Sequence, residues 1–157
     1  MSTGIISSRY ATALLKLVTE SGRGRQVYDQ VQTMLGDTAS VPDPLEEDLR
    51  RFTLLLVKNG RMPYLKYILT TFSRLYREAN RMKQASLTTV VPAPELEEKL
   101  RELVRAEGYE LILESKVDPT IIGGFIFSVD DLLFDASVRR QLEIIRQQFI
   151  EKNNRIV

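Results

Sequence analysis

Residues 65–92 read LKYILTTFSRLYREANRMKQASLTTVVP, and the period of the apolar pattern changes inside them. Leu65, Ile68, Leu69, Phe72, Leu75, Tyr76 and Ala79 recur at intervals of three and four, the stripe of a helix with one buried side. Ala85, Leu87, Thr89 and Val91 then take every second position, the alternation of a strand with one buried face. Pro92-Ala93-Pro94 ends that strand. The switch near residue 83 divides the 157 residues into two parts.

Upstream, the chain reads as helices. Ser7 or Ser8 can cap a helix to about Glu20, with Tyr10, Ala13, Leu14, Leu17 and Val18 on one face and Gly22 and Gly24 after it. A second helix covers about 25–35, with Val27, Val31, Met34 and Leu35 together. A loop over 38–42 follows. Asp43-Pro44 reads as the start of a third helix, because Asp caps and Pro suits the first helical position. Leu45, Leu49, Phe52 and Leu56 form its stripe, and Asn59-Gly60 stops it. Pro63 opens the fourth.

Downstream, helix and strand alternate. Leu96, Leu100, Leu103 and Val104 mark a helix closed by Gly108, and 109–114 is a second strand. Asp118-Pro119 is a turn. Strands at 125–129 and 132–135 form a hairpin around Asp130-Asp131. A last helix presents Val138, Leu142, Ile145 and Phe149. The expected fold is α+β: a helical bundle over 1–83, then a small α+β domain over 84–157 in β-α-β-β-β-α order. Only six residues join the Pro119 turn to the strand at Phe125. At least one of Gly123 and Gly124 should therefore take a positive φ, or lie where no Cβ fits.

The charge divides at the same point. Residues 1–83 hold 13 Lys or Arg against 8 Asp or Glu, a net of +5, and residues 84–157 carry −4. The whole chain is at +1, which excludes a polybasic or acidic-tail protein. It has no Cys and no His. Thiolate and imidazole metal sites, disulfides and Ser-His-Asp catalysis are excluded with them. No apolar run reaches the roughly 18 residues of a membrane span, and the N-terminus does not read as a secretory signal.

Asp118, Asp130, Asp131 and Asp135 invite a metal or acid–base reading, and a small hydrolase built on Asp118 or Asp135 is one hypothesis. Turn and cap chemistry explains these residues better. Gly123-Gly124 precedes a strand, not a helix, so it does not read as a phosphate loop. Arg74, Arg77, Arg81 and Lys83 on the fourth helix suggest a second hypothesis, an RNA-binding module using the basic helix 64–83. No helix-turn-helix or RRM-type aromatic motif accompanies them.

Four segments, in order, resemble the delta subunit of F-type ATP synthase, the oligomycin-sensitivity-conferring protein family. They are Arg9-Tyr10-Ala11-Thr12-Ala13-Leu14; Lys58-Asn59-Gly60-Arg61 with Leu65, Ile68, Phe72 and Leu75; Val117-Asp118-Pro119-Thr120-Ile121-Ile122-Gly123-Gly124; and Asp135-Ala136-Ser137-Val138-Arg139-Arg140-Gln141-Leu142. The resemblance implies a non-catalytic subunit, without cofactor or metal, that ties the catalytic head to the peripheral stalk. It implies a peripheral place on the cytoplasmic face of a bacterial membrane, with neither membrane insertion nor nucleic acid.

The resemblance also implies that the N-terminal helix of an alpha subunit enters a groove between helices 8–20 and 44–58. The groove residues would be Tyr10, Ala13, Leu14, Leu17, Leu49, Phe52 and Leu56. The C-terminal helices of the stalk b subunits would bind the second domain. Asn59, Gly60, Arg61, Asp118, Pro119, Gly123, Gly124 and Ser137 are the motif residues. The family usually has six N-terminal helices, and the short segment 36–43 leaves room for about four. Arg140 stands where the last motif commonly has Gly.

Overall fold

The computed structural model describes residues 3–36 and 40–154. The chain forms two compact units, Met1–Asn80 and Arg81–Val157, and the fold is α+β.

The first unit holds α1 (Thr3–Ser21), α2 (Gly24–Leu35), α3 (Glu47–Lys58), a 3-10 turn at Met62–Tyr64 and α4 (Leu65–Ala79). Its core takes Ala11, Leu14 and Val18 from α1, Val27 and Val31 from α2, Leu49 and Leu56 from α3, and Ile68, Leu69 and Phe72 from α4. Burying each of the larger aliphatic side chains contributes about 1.5–3 kcal/mol relative to leaving it in water. Tyr28 stacks on Tyr76 with ring centroids 4.8 Å apart.

α1 and α3 run antiparallel. At one end the buried Asp48 carboxylate accepts from the Ser21 hydroxyl and, at 2.9 Å, from Arg23. At the other end Asn59 Nδ2 donates to the Tyr10 hydroxyl at 3.2 Å. Asp48 also lies in the first turn of α3, where negative charge suits the helix dipole.

Several boundaries move from the sequence expectation. α1 begins at Thr3, so Ser7 and Ser8 lie inside it rather than capping it. α3 begins at Glu47, not at Asp43-Pro44. The cause is Gln30 of α2: its amide donates to the Pro44 carbonyl at 2.9 Å and accepts from the Glu46 N–H at 2.7 Å. Those bonds hold 44–46 out of a helix, and Glu46 becomes the N-cap. The loop expected over 38–42 lies partly outside the described residues. α4 ends at Ala79, and Arg81 turns the chain with φ +52°.

The second unit holds β1 (Met82–Thr89), α5 (Pro94–Ala106), β2 (Glu110–Val117), a 3-10 turn at Pro119–Ile121, β3 (Phe125–Val129), β4 (Leu132–Asp135) and α6 (Val138–Asn154). The sheet order is β2-β1-β3-β4. β1 pairs parallel with β2 across the α5 crossover, and the other two pairings are antiparallel. Ala85, Leu87 and Thr89 point to the buried face, while Ser86 and Ser128 join hydroxyls at 2.9 Å on the other. Val91 lies beyond β1 and is exposed. α5 lies against β2. β4, at the sheet edge, leaves Leu132, Leu133 and Phe134 in water.

Candidate functional site

On α1, Ile6, Tyr10, Ala13 and Leu17 follow one another at i, i+4, i+7 and i+11, one stripe along the helix. On α3, Asp48, Phe52, Leu55 and Asn59 make the matching stripe. The contacts Ser21–Asp48, Tyr10–Phe52 and Tyr10–Asn59 set the two stripes side by side; the Tyr10 and Phe52 rings meet edge-on with centroids 6.3 Å apart.

The expected groove residues divide sharply by depth. Leu14, Leu49 and Leu56 are fully buried and Phe52 nearly so. They face the bundle core because they share sides of their helices with Val18 and Ala11, or with each other. A docked helix cannot touch the three leucines; they form the support beneath the surface. Tyr10 and Leu17 are half-buried and Ala13 is exposed, so α1 supplies the accessible stripe.

Three neighbours were not among the groove residues expected from sequence. Leu55, 47% exposed, continues the α3 stripe. Ile6 and Arg9 join Tyr10, Ala13 and Arg61 around an open cavity of about 360 Å³. The available signal was the same helical period: Ile6 is four before Tyr10, and Leu55 three after Phe52. Arg9 and Arg61 give that end of the groove positive charge, and among the described residues neither pairs with a carboxylate.

The motif residues are structural in their contacts. Asn59 caps α3, and Gly60 follows with φ +64°. The Arg61 N–H donates to the Leu56 carbonyl at 2.8 Å. Asp118 caps the 3-10 turn that Pro119 opens, accepting from the Thr120 N–H at 2.9 Å and from its hydroxyl at 2.6 Å. Those bonds hold the Asp118 carboxyl below the usual carboxylate range. Ser137 does the same to Asp135, and its own oxygen accepts from the Arg140 N–H at 3.2 Å. Ser137, not Asp135, therefore caps α6; Asp135 holds the capping residue in place by accepting from its N–H at 2.9 Å. Gly123 accepts from the Val138 N–H at 2.9 Å, and a Cβ on it would lie 2.9 Å from Val138 Cγ2. Gly124 takes φ +72° with its missing Cβ 2.2 Å from the Ala136 carbonyl oxygen.

The basic helix 64–83 does not exist as one face. Arg81 lies in the turn after α4, and Lys83 lies in β1, paired with Asp130 at 2.6 Å and 5.3 Å from the Tyr109 ring. Arg74 is paired with Glu78 at 2.7 Å. Among the described residues, no group of three or more His, Cys, Asp or Glu is placed to hold a metal, and no helix is long and apolar enough to cross a membrane.

The family model for the ATP synthase delta (OSCP) subunit matches residues 38–149. The chain belongs to this family. ATP synthase subunit delta of Phocaeicola vulgatus is 31% identical over 185 aligned positions covering all of both chains. Its counterpart from Bacteroides fragilis is 32% identical over 186, again covering all of both. A chain in the cryo-EM structure of the Toxoplasma gondii mitochondrial ATP synthase hexamer shares the fold, with TM-score 0.56 and 15% identity over 92% of this chain and 97% of that one. The delta (OSCP) family is one of structural subunits, so this member is not itself an enzyme.

Proposed function

We propose that this delta-family subunit is the tether of its ATP synthase, joining the catalytic head to the peripheral stalk on the cytoplasmic face of a bacterial membrane. The first unit takes the N-terminal helix of an alpha subunit, and the second takes the C-terminal ends of the stalk b subunits. The observation that carries this is the accessible stripe of Tyr10, Ala13 and Leu17 beside Phe52 and Leu55, with Arg9 and Arg61 at its end. An amphipathic helix fits such a groove by burying its apolar face, and an acidic group near its end meets the two arginines. The roles of Asn59, Gly60, Arg61, Asp118, Pro119, Gly123, Gly124 and Ser137 in this reading are to hold helix ends and the loop before α6 in place.

The test is titration of an alpha-subunit N-terminal peptide into the folded chain. Leu17→Asp and Ala13→Asp place a charge in the contact without entering the core, and each should weaken binding by about tenfold or more. Unchanged affinity in both would remove the groove. Purification from nuclease-treated extract should still recover the other synthase subunits; loss of every partner on nuclease treatment would favour an RNA-binding role.

A further inference from the structure

α6 is almost uncovered. Leu142, Ile145 and Phe149 are 51%, 47% and 66% exposed, and every residue from Arg139 to Glu151 faces water. With Val138 these side chains step by four, three and four, the alternation of a coiled-coil seam. The seam is one side chain wide and about 16 Å long. Ile144 and Ile150 fall on other sides of the helix, so this is not the broad apolar face of a helix lying in a membrane surface.

The residues beside the seam have one sign of charge. Arg139 and Arg146, seven apart, border it on one side, and Gln141 and Gln148 border it on the other. The acids Glu143 and Glu151 lie away from it, and Glu143 is 3.9 Å from Arg140. Among the described residues Arg146 has no ion-pair partner. A second copy of this chain offers the arginines no opposite charge: antiparallel pairing sets Arg against Arg, and parallel pairing sets Arg against Gln.

The base of the helix is fixed. The Val138 N–H bonds Gly123, Ser137 caps the first turn, and Gly124 meets the Ala136 carbonyl. The seam is therefore presented outward in advance of any partner.

We infer that the α6 seam is half of a helix–helix interface whose other half is an amphipathic helix with acidic residues at seven-residue spacing along one border. This rests on the reading that the second unit holds the stalk, and it states which surface does so and what charge its partner carries. Val138, Leu142, Ile145 and Phe149 supply the apolar contact. Arg139 and Arg146 select the partner and set its register.

The probe is a synthetic three-heptad peptide with Leu at the seam and Glu at the flanks, compared with the same peptide carrying Lys. Both are titrated against the full chain. The Glu peptide should bind at least about tenfold more tightly than the Lys peptide. Ile145→Asp and Phe149→Asp should each weaken it about tenfold or more with an unchanged melting curve, since both side chains are already in water. Arg146→Glu should shift the preference toward the Lys peptide. The same variants are then titrated with the C-terminal segment of the organism's own b subunits.

If the chain does not distinguish the two peptides, or Ile145→Asp binds like wild type, the seam is not a docking surface. If wild type binds the stalk segment and Phe149→Asp and Ile145→Asp bind it equally well, this inference falls while the tether reading stands. If the Glu peptide binds as expected and the stalk segment does not, the tether reading falls and the seam stands. A concentration-dependent dimer of wild type that Phe149→Asp abolishes would overturn it in favour of self-association.

Discussion

Gly60 and Gly124 both sit at positive φ, +64° and +72°, yet their surroundings differ. A Cβ on Gly60 meets nothing within 4 Å, whereas one on Gly124 falls 2.2 Å from the Ala136 carbonyl oxygen. Gly60→Ala should cost only the backbone term, about 1 kcal/mol. Gly124→Ala adds a clash with main chain that no side-chain rotation relieves, and should cost about 3 kcal/mol or more. Thermal melts of the two variants should keep that order; equal losses would mean the loop before α6 yields freely. The neighbouring carboxylates make a second prediction at this scale. Hydrogen bonds from Thr120 and Ser137 lower the Asp118 and Asp135 values below the usual range. A carboxyl lowered on folding binds its proton more readily in the unfolded chain. The stability it adds is present above about pH 4 and lost as pH falls through the lowered values. The double variant Asp118→Asn, Asp135→Asn should therefore show a shallower fall in melting temperature as pH drops below about 4. An identical fall in wild type and variant would show that these caps do not couple to protons.

Among the elements, α1 separates support from contact. Leu14 is buried and Leu17 half-buried on the same helix. Leu14→Asp should therefore unfold the bundle, seen as lost helical signal and melting transition, while Leu17→Asp keeps both and loses only peptide binding. If Leu14→Asp stayed folded and lost only binding, Leu14 would belong to the contact surface and not to the core. The helical period made both residues legible as apolar, but a period of 3.6 says which side is apolar, not what covers it. The same limit applies to α6, whose stripe was plain in sequence and whose exposure was not. The start of α3 was hidden for another reason. Asp43-Pro44 is a sound local start signal, overruled by the Gln30 side chain from a different helix, and local sequence carries no trace of that. Arg81 and Lys83 looked like an extension of α4 because charged residues have no strong period of their own; the strand's first buried residue, Met82, marks the true switch. Local constraints read well: the hairpin at 125–135, the Asn59-Gly60 stop and the positive φ of Gly124 each follow from turn chemistry within a few residues, whereas the close approach of Ala136 and Val138 to the glycine pair comes from twelve or more residues away.

At the scale of the whole molecule, the proposed function needs two attachments on one chain. We propose that the two units are independent domains joined at Asn80-Arg81, on the ground that each has its own buried residues and its own sheet or bundle. Fragments 1–80 and 81–157 made separately should each melt cooperatively. Failure of either to fold alone would show that one needs the other. Joining the sites converts the second attachment into an intramolecular event, and linking of this kind typically raises overall retention by about 10²–10⁴ without any new contact. A chain with a protease site inserted between Asn80 and Arg81 tests this directly. Before cleavage it should hold heads and stalks together. After cleavage each fragment should keep its affinity for its own partner peptide, while retention of heads on immobilised stalks falls by about two orders of magnitude or more. Retention that survives the cut would mean that one unit alone bridges head and stalk, and the division of partners between the two units would be wrong.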